Sequence, residues 1–388
     1  MTRFAIPGGG TRSAIPGGGT RFAMVALAAL AVVLAACAPS QKKVETPAQP
    51  PANPQAVGKM VQGVRSAKDT SGKERAIQLL RDAVAGDPGL WEAHYNLGIL
   101  LADKGDLNAA ERELSQSAKL SPNAEDVAVA LAEVRRRQGD ATGAIDALQP
   151  FVKQYPDAKV APIALVAALR EGGKVKEAIE QGQRVLVYRS SDPYALSELA
   201  LSNVEQGEID TAELLIEEAL KADDKSAVAE RTAGLISLRK GDDAVAFKHF
   251  QRASELDPKD TTARLNIGTV LLQAGVSDKA AQEFRAVLAV EPESIDAMLG
   301  LAAARRGQSK KDDQSGFLEA EKLLKGVLER EPKNVDATFN LAILYSDYLK
   351  RPSEATPLLQ RFLDDAPKNH PGRPEAERLI SGVQSAKK

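Results

Sequence analysis

The sequence predicts an all-α protein: an α-solenoid of about nine helix hairpins closed by a C-terminal capping helix. Three periodic features carry that reading. Alanine recurs every 34 residues, at Ala76, Ala110, Ala144, Ala178, Ala212, Ala246 and Ala280. Glycine runs in phase at Gly105, Gly139, Gly173, Gly207, Gly241 and Gly275, and a looser proline series follows at Pro88, Pro122, Pro156, Pro258 and Pro292. Self-similarity at so long a fixed period marks stacked supersecondary units.

Each unit reads as two amphipathic helices. Between Trp91 and Asn123, apolar residues fall at Leu97, Leu100 and Leu101, then at Leu107, Ala110, Leu114 and Ala118. Spacings of three and four put each set on one helix face. Gly105 closes the first helix, where a left-handed residue is needed. Small Ala110 lets the two helices cross closely, and Pro122 stops the second. One hairpin cannot bury its own stripe, so neighbours must stack.

These residues resemble the tetratricopeptide repeat family. Gly268, Leu271, Ala280, Phe284 and Pro292 match its pattern, as do Gly234, Ala246, Phe250, Ala253 and Pro258. Leu97, Gly98, Ala110, Leu114 and Pro122 match again, with Trp91 three residues ahead of the family's tryptophan position. Units 125–158, 159–192 and 193–226 carry Ala132, Val166 and Ala200 in place of the first-helix glycine. The resemblance covers residues 57 to about 370 and implies a right-handed superhelix with a concave protein-binding face.

The amino terminus reads differently. Residues 1–36 hold Arg3, Arg12 and Arg21 and no acid, and Ala5–Arg12 is duplicated at Ala14–Arg21. Met24–Ala36 is an apolar run of 13 residues, too short for a membrane span of about 20. A charged segment, a short apolar core and small residues form a secretory signal pattern. A start upstream of Arg21 is expected, since starting at Met24 would leave no charge before the apolar run. The run ends Leu34-Ala35-Ala36-Cys37, which resembles a bacterial lipobox. That resemblance implies residues 1–36 as a lipoprotein signal peptide and Cys37 as a lipidated first mature residue. Acyl chains contribute about 0.8 kcal/mol per buried CH₂, so more than one gives stable anchoring. Ala38 after the cysteine resembles the sorting pattern for the outer membrane, facing the periplasm.

Residues 37–56 hold five prolines and read as an extended linker, reaching up to ~60 Å at about 3.1 Å per residue. The solenoid is expected over 57–370, starting with a degenerate hairpin from Val57 to Leu90. Ala320 follows Ala280 by 40 residues, so six are inserted, expected in the turn Gly307–Gly316 as a surface loop. The unit at 335–368 carries Leu341, Tyr345, Ala355, Leu359 and Pro367, and residues 371–388 supply a capping helix and tail with Leu379, Ile380 and Val383.

Little in the chain suggests chemistry. His94, His249 and His370 lie in different repeats, and no HExxH, GxSxG, Walker or EF-hand pattern occurs. A lone cysteine makes no internal disulfide, and no CxxC is present for zinc. Acidic pairs such as Asp223-Asp224 and Asp312-Asp313 fall at turns, where they cap helices. Beyond residue 36 the chain has 48 basic against 53 acidic residues and no basic patch of five or more residues, which argues against nucleic acid. The expectation is a protein without enzymatic activity, cofactor, metal or small-molecule substrate.

The family resemblance implies a groove lined by fixed positions of each first helix. In successive repeats these are Tyr95, Asn96 and Ile99, then Val129, Glu133 and Arg136, then Arg170, then Tyr194, Glu198 and Leu201. Arg231 and Leu235 follow, then Asn266 and Thr269. Such a mixed strip suits an extended peptide or a helix of an envelope protein. Asn96, Asn266 and Asn340 sit where some relatives clamp a carboxyl terminus, but the accompanying lysine is missing. The resemblance extends to tetratricopeptide lipoproteins of gliding-motility, type IV pilus and secretion machines. It implies a lipid-anchored scaffold, with a pilotin-like chaperone for an outer-membrane secretin as the alternative.

Overall fold

The computed structural model describes residues 51–69, 72–309 and 314–386. The signal peptide, the lipobox Leu34–Cys37 and most of the linker lie outside the described residues. The chain divides near Glu208 into two units. The first holds α1 (Pro54–Ser66), α2 (Lys73–Gly86), α3 (Trp91–Asp103), α4 (Leu107–Leu120), α5 (Glu125–Arg137), α6 (Ala141–Gln154), α7 (Ala161–Glu171), α8 (Val175–Tyr188) and α9 (Pro193–Gln206). The second holds α10 (Ile209–Ala222), α11 (Ala227–Lys240), α12 (Asp243–Leu256), α13 (Thr261–Gln273), α14 (Ser277–Val290), α15 (Ile295–Gln308), α16 (Ser315–Arg330), α17 (Val335–Ile343), α18 (Pro352–Asp365) and α19 (Arg373–Ala386). No strand occurs among the described residues. The fold is the expected α-solenoid of hairpins.

The glycine ladder is a ladder of left-handed turns. All six rungs have φ between +73° and +92°. Each ends its helix the same way, with the following amide reaching back five residues: Asp106 N donates to the Leu101 carbonyl at 3.0 Å, Asp140 N to Arg135 at 2.8 Å, and Val276 N to Leu271 at 2.8 Å. A side chain in this conformation costs about 1–2 kcal/mol, which is why glycine recurs.

The alanine ladder is fully buried, at 0% exposure from Ala76 through Ala280. Beside it runs an exchange of volume between facing helices. A Cβ on Gly98 would lie 2.6 Å from Leu114, and one on Gly234 would lie 2.5 Å from Phe250. Phe284 of α14 wedges between two glycines, since added Cβ atoms on Gly268 of α13 and Gly300 of α15 would lie 2.8 and 2.4 Å from its ring. At the same register the fourth hairpin reverses the sizes, with Val166 on the first helix and Gly182 on the second. Leu199 of α9 takes up the room at Gly182, 2.9 Å from where its Cβ would stand. The departure Val166 is therefore matched by Gly182, sixteen residues on, whereas Ala132 faces Leu148, as large as the Leu114 that faces Gly98.

Three places differ from expectation. The linker ends sooner, because Asn53 caps α1 by accepting from Gln55 N at 3.0 Å, and Pro54 takes the first helical position. Proline has no amide to lose there and its fixed φ suits a helix start. The six-residue insertion is also shared out. Gly307 belongs to α15, and Ser315 and Gly316 belong to α16, which is 16 residues long where its counterparts have 14. Residues 310–313 lie outside the described set.

The third difference is a π-helical segment, Leu344–Tyr348, that continues α17. Ala355 follows Ala320 by 35 residues, one more than the period. A π-turn absorbs one extra residue without breaking the helix. Leu349 N accordingly donates to the Leu344 carbonyl at 2.9 Å, and Arg351 N to Tyr345 at 2.7 Å, six residues back. The Tyr345 hydroxyl donates to Glu321 at 2.9 Å, and Lys325 donates to the same carboxylate at 2.7 Å, which ties the segment to α16. Lys350 then stands on the glycine rung, with φ +56°.

Two stability outcomes follow from these contacts. Gly234→Ala should destabilise the protein by about 1–3 kcal/mol in urea denaturation, the range for overpacking a filled core. Adding Phe250→Leu, which recreates the Ala132–Leu148 pairing, should recover part of that loss, whereas an additive loss would refute the volume-exchange account. Lys350→Gly should stabilise the protein by about 0.5–1 kcal/mol by relieving the left-handed side chain.

Candidate functional site

The first helices of each hairpin carry the residues assigned to the groove. In the first unit, Tyr95 and Asn96 of α3 are buried. Asn96 donates its Nδ2 to the Glu92 carbonyl at 2.7 Å, so that group is spent on its own helix. Burial, with Asp126 nearby, pushes the Tyr95 hydroxyl pKa well above its usual range. Ile99 and Val129 are half-buried, Leu201 is buried, and Tyr194 at the start of α9 is 61% exposed.

Charged residues of α5, α7 and α9 form a connected network. Arg136 donates to Glu133 at 2.8 Å and with two nitrogens to Glu171 at 2.7 and 2.5 Å. Arg170, 1% exposed, donates to Glu205 at 2.9 Å and Glu198 at 3.2 Å, with Glu171 at 3.8 Å. Four carboxylates thus surround two guanidinium groups. Burial opposes charge on Arg136 and Arg170, but the carboxylates outweigh it and hold both pKa values above the ordinary arginine range. Glu133 shows the cost of burial. Burial raises its pKa, Arg136 and Arg137 oppose the rise, and Glu171 adds to it.

Glu171 and Glu205 escaped the sequence reading. The signal was present: Arg136–Glu171 and Arg170–Glu205 share a separation of 35, the period plus one. A side chain then meets the next repeat one position further on.

The second unit offers a different surface. Arg231 is buried and bonded to Asp260, which caps α13 through Thr262 N at 2.9 Å and Ala263 N at 3.3 Å. It braces the next helix and is not presented to a ligand. Thr269 donates to the Leu265 carbonyl at 2.9 Å. Leu235 and Asn266 are half-buried, as are Leu265 and Leu272 beside them. The strip here is aliphatic and amide-bearing, without the charged network.

The structure therefore brings the predicted residues of each unit onto neighbouring helices but covers several of them. Tyr95, Asn96, Arg170, Leu201 and Arg231 lie beneath the surface, covered by neighbouring side chains. Each histidine meets a carboxylate: His94 Nδ1 lies 2.7 Å from Glu113, His249 Nδ1 2.7 Å from Glu230, and His370 Nε2 3.4 Å from Asp336. Among the described residues, no three His, Cys, Asp or Glu side chains gather as a metal site would require.

The network sets two expected outcomes. Arg170→Ala should cost about 3 kcal/mol in urea denaturation, because it leaves desolvated carboxylates without their cation. Glu133 works in the opposite sense. Its folded-state pKa is raised, so its contribution to stability is present below the ordinary carboxylate range and is lost as pH rises through the raised value. Glu133→Gln should match the wild type at about pH 4 and below, and exceed it near pH 7. A lower midpoint near neutral pH would mean that pairing with Arg136 outweighs burial.

Sequence profiles of the tetratricopeptide repeat match residues 74–134, and then 129–195, 197–261 and 265–314, more than half of the chain. No curated protein matches in sequence. Among solved structures, the APC/C hetero-tetramer Cut9–Hcn1 is 16% identical with a TM-score of 0.55, over 80% of this chain and 58% of that one. The chain thus spans little more than half of that relative's length. Pseudomonas aeruginosa pilF is 17% identical with a TM-score of 0.48, over 58% of this chain and 96% of that one. A thermophilic tetratricopeptide protein of Thermus thermophilus is 20% identical with a TM-score of 0.42, over 47% of this chain and 99% of that one. The hairpins, their crossing residues and these profiles agree: the chain belongs to the tetratricopeptide repeat family.

Proposed function

We propose that this protein is a non-enzymatic scaffold that docks other envelope proteins on the inner strips of its repeats. The observation that carries this reading is the half-buried first-helix strip, bearing side chains of mixed chemistry on a stack of hairpins. Tetratricopeptide domains bind protein partners. Open strips on stacked helices suit extended peptides and partner helices.

The leader extends the reading. Leu34-Ala35-Ala36-Cys37 supports lipidation of Cys37 and anchoring at the periplasmic face of the outer membrane. None of the described helices is long and apolar enough to cross a membrane, so acyl chains are the proposed attachment. We place the scaffold in a motility, pilus or secretion assembly.

Crosslinking in intact cells, followed by pull-down and mass spectrometry, tests the scaffold reading. Several envelope proteins should be captured, and fewer with Ile99→Asn and Val129→Asn, while a single dominant secretin client would favour the pilotin alternative. Cys37→Ser should abolish labelling by radioactive palmitate and move the protein from membrane to soluble fractions. Unchanged labelling would overturn the anchor.

A further inference from the structure

The first unit concentrates exposed apolar side chains at one edge, which adjoins its inner strip at Tyr194. Val160 is 44% exposed, Val187 80%, Tyr188 58% and Tyr194 61%, all within a stretch of about 35 residues. Val187 stands at the repeat position held elsewhere by Lys119, Lys153, Lys221 and Glu255, so an apolar residue has replaced a solvated charge.

These residues are held together. Arg189, just after α8, donates to the carbonyls of Ala158, at 3.0 Å, and Lys159. It also meets Asp192 at 3.5 Å, and Asp192 in turn caps α9 by accepting from Tyr194 N at 2.9 Å. One guanidinium thereby fastens the start of α7, which carries Val160, to the turn between Tyr188 and Tyr194.

The charged groups next to Val160, Val187 and Tyr188 are mainly basic. Exposed Arg184 precedes Val187 and Tyr188 by three and four residues, on the same face of α8. Exposed Lys159 adjoins Val160, and exposed Lys153 of α6 holds the register of Val187 one repeat earlier. Asp157 in that turn and Glu180, one turn before Arg184 on α8, are exposed acids, and Asp192 is occupied by the cap.

We propose that this edge docks an acidic segment of a partner protein, whose apolar or aromatic side chain packs against Tyr188 and Tyr194 while its carboxylates meet Lys153, Lys159 and Arg184. Tyrosines supply large contact area at small cost in side-chain entropy, and a charged rim gives specificity. An anionic bilayer fits less well. Residues 51–208 carry 22 acidic against 19 basic side chains, so a broad negative surface would repel the unit while a short segment meets the basic rim alone.

The test uses the mature chain and two fluorescein-labelled peptides, one alternating Asp and Glu with Phe and Leu, the other with Lys replacing the acids. The acidic peptide should bind in fluorescence anisotropy, weaken as salt rises, and lose at least tenfold in affinity with Tyr188→Ser/Tyr194→Ser and with Lys159→Glu/Arg184→Glu. All four side chains are exposed, so circular dichroism of the variants should match the wild type. Equal binding of both peptides, or affinities unmoved by either variant, would overturn the proposal. So would variant-sensitive binding to vesicles containing anionic lipid without peptide binding, or self-association in light scattering that Tyr188→Ser/Tyr194→Ser removes.

Discussion

Close crossing of the two helices in each hairpin is the constraint on which the rest depends. Two helices bearing large side chains at their contact stand about 10 Å apart, and removing a side chain at the crossing brings the axes closer. Here the removed volume is returned from the facing helix. Gly98 receives Leu114, Gly234 receives Phe250, and Phe284 fills the hollow left by two glycines on successive first helices. In the fourth hairpin the exchange runs the other way. Val166 is therefore tolerated where the family prefers glycine, because Gly182 stands at the paired position.

That closeness has a consequence for the inner strip. First-helix residues that would face solvent in an isolated hairpin come within reach of the next repeat and bond to it. Arg136 and Arg170 each reach one repeat onward, and Arg231 reaches the cap of α13. Buried ion pairs add little net stability when desolvation is counted, but breaking one leaves a stranded charge. The network in α5, α7 and α9 therefore fixes the register of neighbouring repeats more than it lowers their free energy. Burial, with a smaller addition from Glu171, raises the pKa of Glu133, so holding that register carries an electrostatic cost.

The parts legible in the sequence are those for which chemistry leaves one choice. A left-handed turn asks for glycine, a tight crossing asks for alanine, and both repeat at 34 residues. Elsewhere the same residue type serves two ends. Pro54 reads as linker or as helix start, and Asn53 decides between them only through a bond at 3.0 Å. The extra residue absorbed at Leu344–Tyr348 left one trace, a 35-residue step, and Lys350 hides a glycine's role behind an ordinary side chain. Burial was least legible. Asn96 and Asn266 share a register, yet one is 1% exposed and the other half-buried, because exposure depends on the neighbours' volumes.

The two inner strips present opposite problems to a ligand. An apolar side chain laid over Glu133, Glu171, Glu198 and Glu205 of the first would remove water from carboxylates that outnumber their two arginines, which is unfavourable, whereas a cation laid there would relieve them. The second strip, with Leu235, Leu265 and Leu272, has no such penalty and rewards apolar burial. At the Tyr188–Tyr194 edge of the first unit the sign reverses, and basic groups ring the apolar patch. A segment that meets both surfaces of that unit must carry cations along one stretch and carboxylates along another. Reversed, it would set like charges together at both, and such juxtaposition disfavours wrong partners more strongly than matched charges favour right ones. Orientation of a bound chain would then be set by charge order, with affinity left to the apolar contacts.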